Sequence, residues 1–251
     1  MITKQELMDL ARFSHFKPHQ QEKHYIQTII LNSIYSTITN ELVFKGGTCL
    51  FFLYGLNRFS EDLDFTMIKE YNIKKLIFNI KKDLENLGIN YKISELNENQ
   101  TTLSFKIGVE GPLFNKEIER CFIKIDISKR EKVYYLETKE LKTNYPGILG
   151  FTINVMSEKE ILAEKIRAII TRNQARDLFD SYYLLNKNIE IDLDLINRKL
   201  DYYKKTFNKK EFKKAVQDKG SNWLLELNPF ILGSIPNFKE VEKYVLGKMK
   251  I

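Results

Sequence analysis

One segment, residues 42–67, constrains the fold more than any other part of this 251-residue chain. It reads LVFKGGTCLFFLYGLNRFSEDLDFTM, and its apolar start is halted by Gly46 and Gly47. Glycine lets the backbone turn tightly or approach a ligand closely. From Thr48 onward the apolar residues keep helical spacing. The segment therefore predicts a strand, a glycine turn and a short helix that has Thr48 as its N-cap.

The start of that short helix is a predicted phosphate site. The first turn of a helix has backbone N–H groups without intrahelical partners, and with the helix dipole they attract anions. Gly46, Gly47 and Thr48 are therefore candidate nucleotide-binding residues.

The residues after the helix predict a metal site. Glu61 to Met67 alternates as a strand does, which places Asp62 and Asp64 on one face. Two carboxylates on one strand face can hold one or two Mg²⁺ ions, whose other positions go to water and phosphate oxygens. Solvated aspartates are the ordinary alternative, and N-capping explains Asp192-Leu193-Asp194, which sits where a helix begins. Because the glycine turn precedes Asp62, this pair favours phosphoryl chemistry.

A lysine within an apolar helical stripe is a second unusual feature. Ser157 and Glu160 form a capping-box pattern at the start of the helix EKEILAEKIRAIITR. At about 100° per residue, Lys165 falls on the face of Ile161 and Ile169. A lysine is almost never buried without a partner, so an anion is expected beside it, either a nucleotide triphosphate or a structural carboxylate. Alternatively, the side chain extends past the stripe to solvent.

Two aspartates share a face of the next predicted helix, Ala175 to Asn186. Asp177 and Asp180 are three positions apart, so one can orient Lys165 or a nucleotide while the other pairs with Arg176. The sequence does not rank the two.

Basic residues are concentrated in one segment. The net charge is +7, and residues 197–219 hold nine basic residues against three acidic ones. Tyrosines and phenylalanines alternate with these lysines, a pattern that fits a surface for RNA backbone or simply a helix with a solvated face. The candidate RNA contacts are Lys204, Lys205, Lys209, Lys210 and Lys213.

The remaining patterns predict an α+β protein. We expect a small mixed β-sheet flanked by helices in residues 1–156, which would form the catalytic domain, and a helical C-terminal domain in residues 157–251 that completes the cleft. Further strands are predicted at 91–96, 101–109, 120–127 and 151–156, and the first helix is expected to turn Leu7, Leu10, Ala11 and Phe13 inward.

Composition excludes several other classes of protein. No apolar run approaches the roughly eighteen residues that span a bilayer, and the N-terminus lacks a signal peptide pattern, so we expect a cytoplasmic protein without membrane contact. Cys49 and Cys121 have no metal-ligand or redox spacing.

Two pairs of motifs resemble one known family. FKGGTCL with RFSEDLDF, and EKxxA with RDxxD, are similar to the signature of the AbiEii toxins, nucleotidyltransferases of type IV toxin–antitoxin systems within the DNA polymerase beta-like superfamily. The matching positions are Gly46, Gly47, Thr48, Arg58, Ser60, Asp62, Asp64, Glu164, Lys165, Ala168, Arg176, Asp177 and Asp180.

The resemblance implies a division of roles among these residues. Asp62 and Asp64 would bind two Mg²⁺ ions, with a third carboxylate from a neighbouring strand acting as ligand and base. Asp126 in CFIKIDIS is the best candidate for it, unless it only pairs with Lys124 on a polar strand face. Lys165 and Asp180 would join the catalytic set. The implied nucleotide contacts are Gly46, Gly47, Thr48, Arg58, Ser60, Lys165 and Asp177.

The function implied is transfer of a nucleoside monophosphate from an NTP to RNA, with the 3′ end of tRNA as acceptor. The protein would be the toxin of a toxin–antitoxin or phage-defence system and would have a cognate antitoxin as partner. Two alternatives stay open: the same fold modifying a protein hydroxyl or a small molecule, and a non-catalytic RNA-binding module.

Overall fold

The fold is built around one mixed β-sheet, described here from a computed structural model of residues 1–251. The sheet order is β3-β5-β6-β2-β1-β8-β7, with β4 paired to β5. β2 runs antiparallel to β1 and parallel to β6, which confirms the mixed sheet and the α+β class. The strands are β1 (Leu42–Lys45), β2 (Leu63–Met67), β3 (Tyr91–Ile93), β4 (Asn97–Glu98), β5 (Thr102–Val109), β6 (Cys121–Ser128), β7 (Leu136–Leu141) and β8 (Phe151–Met156).

Ten α-helices accompany the sheet, and polar N-caps begin several of them. Asn72, Ser157 and Asp192 each accept a hydrogen bond from a backbone N–H of the first turn, as predicted for Asp192. The helices are α1 (Lys4–Ser14), α2 (Pro18–Tyr35), α3 (Gly46–Leu53), α4 (Ile73–Asn86), α5 (Glu158–Thr171), α6 (Ala175–Asn186), α7 (Leu193–Leu200), α8 (Lys209–Asp218), α9 (Trp223–Leu227) and α10 (Phe238–Lys248).

The chain forms two compact units. Unit 1 comprises Met1–Cys49, Glu61–Lys132 and Leu136–Val155, and unit 2 comprises Leu50–Ser60, Val133–Tyr135 and Met156–Ile251. The assignment of domains as residues 1–156 and 157–251 stays a prediction. No helix is both long enough and apolar enough to cross a membrane.

Each unit has its own apolar core. In unit 1 the alternating residues of β5 and β6 bury one sheet face, and the Phe65 ring of β2 packs on Phe44 and Tyr35. In unit 2 the Trp223 ring packs on Phe179 and Phe238. The packing in these two cores fixes the strands and helices that carry the candidate site residues.

Two predictions about helices α1 and α5 need correction, and strand β7 was not predicted. Phe13 is 82% exposed, because α1 buries only Leu7 and Ala11 on its inner face. The Glu160 carboxylate does not complete a capping box; it accepts instead from the backbone N–H groups of Tyr134 and Tyr135. Strand β7, with exposed and half-buried residues in alternation, had no apolar run that would predict it.

Candidate active site

The turn between β1 and α3 depends on Gly46. Its φ of +75° lies in the left-handed region that favours glycine. A Cβ atom there would lie 2.7 Å from Oδ2 of Asp64, so a side chain would also collide with that carboxylate. The glycine thus allows both the sharp turn and the close approach of Asp64, while Gly47 is buried within the first turn of α3.

Thr48 is not the N-cap that the sequence predicts. Because Gly46 turns the chain directly from strand into helix, α3 begins at Gly46 and Thr48 is its third residue. The Thr48 hydroxyl is fully buried and donates to the backbone carbonyl of Asp62. This hydrogen bond fixes the residues before β2 against the start of α3.

Two carboxylates of unit 1, Asp64 and Asp126, lie in one row across the sheet, and together with Asp62 they are called the acid row. Asp64 on β2 is the register partner of Asp126 on β6 and, on its other side, of Lys45 on β1; Ser104 on β5 completes the row next to Asp126. Partners in register on adjacent strands share a face, with Cβ atoms about 5 Å apart. The structure therefore brings Asp64 and Asp126 side by side, and the role of Asp126 as a third carboxylate stays a prediction.

Asp62 lies just before β2 and is exposed. Partial desolvation raises its pKa, and the nearby carboxylates of Asp126 and Glu61 raise it further. Lys124 and Lys23 act in the opposite direction. Asp62 thus interacts electrostatically with Asp126 and Lys124, and it belongs to the same acidic group as Asp64 and Asp126.

Lys124 is the cation that contacts Asp126 directly. Its Nζ lies 2.6 Å from Oδ2 of Asp126, and the side chains are 41% and 36% exposed. The hydrogen bond to Asp126 raises the pKa of Lys124, and the negative charges of Asp126, Asp62 and Asp64 add to the effect. Asp126 therefore does pair with Lys124, as the alternative interpretation held, while it also stands beside Asp64.

The donor atoms of this group fit magnesium chemically. Carboxylate oxygens are the ligands that Mg²⁺ prefers, and Asp62, Asp64 and Asp126 offer three carboxylates around one sheet face. As the side chains stand, no group of three His, Cys, Asp or Glu residues is arranged to hold a metal ion.

A second lysine at this edge was not predicted. Lys45, the last residue of β1, forms a largely buried ion pair with Glu131, and Nε of Arg130 lies 3.7 Å from the same carboxylate. The only sequence signal was a lysine that ends an apolar strand directly before the two glycines.

Unit 2 contains a buried ladder of alternating charges. Nε and Nη2 of Arg58 each lie 2.8 Å from a carboxylate oxygen of Asp180. Nζ of Lys165 lies 2.7 Å from Asp180 and 3.0 Å from Asp177. Arg172 then closes the row with two hydrogen bonds to Asp177, of 2.7 and 2.9 Å. The charge ladder is therefore Arg58, Asp180, Lys165, Asp177 and Arg172.

The ladder answers the questions that the sequence left open. Lys165 is buried, and its anionic partners within unit 2 are two carboxylates rather than one. Burial tends to raise the pKa of Asp177, but Lys165 and Arg172 outweigh it and hold that pKa well below its ordinary value. Burial likewise tends to raise the pKa of Asp180, but the charges of Arg58 and Lys165 outweigh it, so the pKa of Asp180 is lowered. Both aspartates are therefore ionised.

Arg176 does not pair with either aspartate, contrary to one sequence expectation. Its guanidinium lies over the Phe230 ring, 5.3 Å from the centroid, because its position on α6 turns it away from the buried face. Arg172, at the end of α5, takes its place. Ser60 is buried in unit 2, two residues after Arg58.

The predicted RNA-contacting lysines lie in unit 2 and all are exposed. Helix α8 buries Phe212 and Val216 and leaves its lysine face to solvent. Lys205 pairs with Glu211, and Lys209 donates to the carbonyl of Lys250. The exposed set is Lys204, Lys205, Lys209, Lys210 and Lys213.

Two basic residues of the same segment do not reach the surface. Nζ of Lys199 lies 2.6 Å from Glu160, and Lys219 donates to the carbonyls of Ile169 and Arg172 at the end of α5. The exposed positive charge is therefore smaller than the sequence count indicates.

Comparison with known proteins gives consistent matches. A family profile described as "Nucleotidyl transferase AbiEii toxin, Type IV TA system" matches residues 29–244. The structure of JHP933 from Helicobacter pylori has 25% identity and a TM-score of 0.63, over 92% of this chain and 90% of that chain.

A second solved structure agrees in fold. The nucleotidyltransferase toxin MenT4 from Mycobacterium tuberculosis has 18% identity and a TM-score of 0.65, over 99% of this chain and 88% of that chain. No sequence among the curated proteins is similar enough to count as a match.

Proposed function

Because the chain belongs to the AbiEii family of nucleotidyltransferase toxins of type IV toxin–antitoxin systems, we propose that it transfers a nucleoside monophosphate from an NTP to RNA with the help of Mg²⁺. The main support is the acid row, in which Asp64 and Asp126 stand side by side next to the Gly46 turn. Membership of a type IV system also implies an antitoxin partner. We further propose a cytoplasmic location and a role in phage defence.

The acid row suits the transfer chemistry. Asp62, Asp64 and Asp126 would hold Mg²⁺, which would supply Lewis-acid stabilisation of the negative charge that develops during the transfer. The backbone N–H groups in the first turn of α3, from Gly46 to Thr48, hold the β and γ phosphates. These groups are preorganised, because the turn and the buried Thr48 hydroxyl fix them.

Asp126 is the proposed base. It accepts the proton of the acceptor hydroxyl as the acceptor oxygen bonds to the α-phosphorus. The bond from that phosphorus to the bridging oxygen breaks, and pyrophosphate leaves. Its position beside Asp64 and its partial exposure support this role.

The residues of the charge ladder are proposed to serve the nucleotide. Lys165 and Asp180 retain catalytic roles, and Arg58, Ser60 and Asp177 retain nucleotide-binding roles, on the strength of the family motifs. The ladder supports this by holding the Lys165 ammonium in one place, since two aspartates fix it and both are fixed in turn by arginines.

RNA is the proposed acceptor, and the 3′ end of tRNA is the proposed position. The exposed lysine face of α8 and the preceding loop supports it, because lysines in this number attract a phosphate backbone in a salt-dependent way. A protein hydroxyl or a small molecule as acceptor keeps the same chemistry and is an outcome of the test below.

Labelling with each of the four α-³²P-NTPs, in the presence of total RNA or total protein, tests the proposal. We expect one nucleotide to label RNA, and Asp64→Asn to abolish the label. Asp194→Asn is a matched control, because it makes the same change in the Asp-x-Asp of α7, where Asp192 is an N-cap. Label in the protein fraction would show the alternative acceptor, and RNA binding without label would show a non-catalytic module.

A further inference from the structure

Lys124 occupies an unusual position for a lysine in a site that binds cations. Its ammonium lies 2.6 Å from Asp126 and feels the charges of Asp62 and Asp64. On β6 it is two residues before Asp126, so both side chains share one sheet face. We propose that Lys124 is a tethered cation that occupies the acidic group in the metal-free protein and competes with the divalent metal. This inference rests on the proposed metal role of the three aspartates.

The charge balance of the group explains why such a cation is useful. Asp62, Asp64 and Asp126 are three carboxylates around one sheet face, and like charges at this spacing repel one another. The ammonium of Lys124 reduces this repulsion while no metal is bound. A divalent ion that enters the group must displace the ammonium from Asp126, so part of the binding free energy is used to break the ion pair.

The exposure of Lys124 permits the displacement. Its side chain is 41% exposed, so the flexible stem can turn the ammonium to solvent without unpairing a buried charge. The other lysines near candidate residues differ in this respect. Lys45 and Lys165 are both buried in ion pairs, with Glu131 and with Asp177 and Asp180. Lys23, whose charge also reaches Asp62, pairs with Glu61, and its side chain is 19% exposed. Of these four lysines Lys124 has the most exposed side chain, so its ammonium can leave the carboxylate that it contacts.

The neighbouring strand supplies a matched control. Lys106 on β5 is the register partner of Lys124, so it lies on the same sheet face one strand further away. It is exposed. Lys106→Gln removes the same charge as Lys124→Gln but leaves the ion pair with Asp126 in place.

Direct measurement of Mn²⁺ binding tests the proposal without reference to activity. The full-length protein is titrated with Mn²⁺ in the absence of nucleotide, by isothermal calorimetry and by the EPR signal of free Mn²⁺. We expect Lys124→Gln to bind Mn²⁺ about tenfold more tightly than the wild type, because a competing positive charge in contact with a ligand is lost. Lys106→Gln should change the affinity less than threefold at physiological salt, since the exposed Lys106 side chain forms no ion pair with the aspartates and its charge is screened by solvent. Lys124→Arg should stay near the wild type.

A second readout separates competition from a structural role. Without metal, Lys124→Gln should lower the thermal unfolding midpoint, because the carboxylates repel; with saturating Mn²⁺ its midpoint should rise more than that of the wild type. If Lys124→Gln binds Mn²⁺ no more tightly than the wild type while Asp64→Asn abolishes binding, Lys124 does not compete with the metal. The metal role of the aspartates would still stand. Mn²⁺ binding that Asp64→Asn leaves unchanged would overturn the metal role of the aspartates and this inference with it.

Discussion

The acid row of unit 1 and the charge ladder of unit 2 use the same residue types in opposite ways. In the row, Asp62 and Asp126 are open to solvent, and Lys124 is the cation in direct contact with Asp126. In the ladder, Asp177 and Asp180 are buried, and each contacts two cations. The proposed metal ion would add positive charge among the carboxylates of the row, whereas each aspartate of the ladder already contacts two cations of the chain.

The two clusters should therefore fail differently. A buried ion pair contributes little over an apolar substitute, but removal of one partner leaves an uncompensated buried charge. An exposed carboxylate that loses its charge leaves nothing buried behind. Substitutions of the aspartates in the row should remove activity without lowering stability, and substitutions in the ladder should reduce stability as well.

The largest effect is expected at Asp64. Asp64→Asn removes a carboxylate from the proposed metal site, so nucleotidyl transfer should fall at least about a thousandfold, while the free energy of unfolding changes by less than about 1 kcal/mol. Single-turnover labelling and urea unfolding measure the two quantities. A comparable loss of stability would remove the distinction between row and ladder.

Asp180→Ala should give the largest loss of stability. It leaves the guanidinium of Arg58, which is 2% exposed, and the ammonium of Lys165 without their shared partner. We expect a loss of about 3–5 kcal/mol in urea unfolding. Asp194→Ala, at an exposed helix start, should cost under about 1 kcal/mol. If Asp180→Ala and Asp194→Ala unfold at the same urea concentration, the charge ladder does not contribute to stability as proposed.

The two arginines at the ends of the ladder should be unequal. The Arg172 side chain is 50% exposed, and Asp177 keeps Lys165 when Arg172 is lost. Arg172→Ala should therefore cost about 1 kcal/mol, and Arg58→Ala about 3 kcal/mol. Equilibrium unfolding of both variants under one set of conditions measures the two losses of stability. A larger loss for Arg172→Ala than for Arg58→Ala would contradict the prediction that the more buried arginine contributes more.

The smallest effect is a dependence of stability on pH, with opposite signs in the two clusters. The pKa values of Asp177 and Asp180 are lowered on folding, so their contribution is present above the ordinary value of 3.8 and is lost as the pH falls further. The pKa of Asp62 is raised on folding, so its contribution to stability is present below pH 3.8. That contribution is lost as the pH rises through the pKa of Asp62 in the folded protein.

Unfolding of the Asp62→Asn variant measures the second sign. Relative to the wild type, it should gain stability at neutral pH, and the difference should disappear below about pH 4. Urea unfolding from pH 3 to pH 7 follows both variants. A constant difference across this range would show that Asp62 is not perturbed by its neighbours.

The sequence predicted the elements of the site better than their contacts. Strand period placed Asp62 and Asp64 on one face, and a helical stripe marked Lys165 as buried, because both patterns follow from local geometry. Asp126 was chosen because the family resemblance implies a third carboxylate on a neighbouring strand, and its role stays a prediction. Local geometry does not reveal which strand lies beside which, so the registration of Asp64 with Asp126 had to come from the fold.

Ion-pair partners could not be predicted for a related reason. Arg172 and Arg176 are equally good partners for Asp177 by charge, and only the ends of α5 and α6 in three dimensions select Arg172. Lys199 and Lys219 looked like surface charge, because a sequence count does not separate buried lysines from exposed ones. The N-cap role of Thr48 failed since the positive φ of Gly46 starts the helix two residues earlier.

The turn at Gly46 also affects how such a toxin can be lost. Any missense change in a glycine codon adds a side chain, and at this position it would strain the backbone and push the Asp64 carboxylate aside. A single-base substitution in this codon should therefore inactivate the enzyme while its core strands and helices still fold. Such a mutation would release the host cell from the effect of the toxin. We expect inactive alleles recovered from surviving cells to include substitutions at this codon.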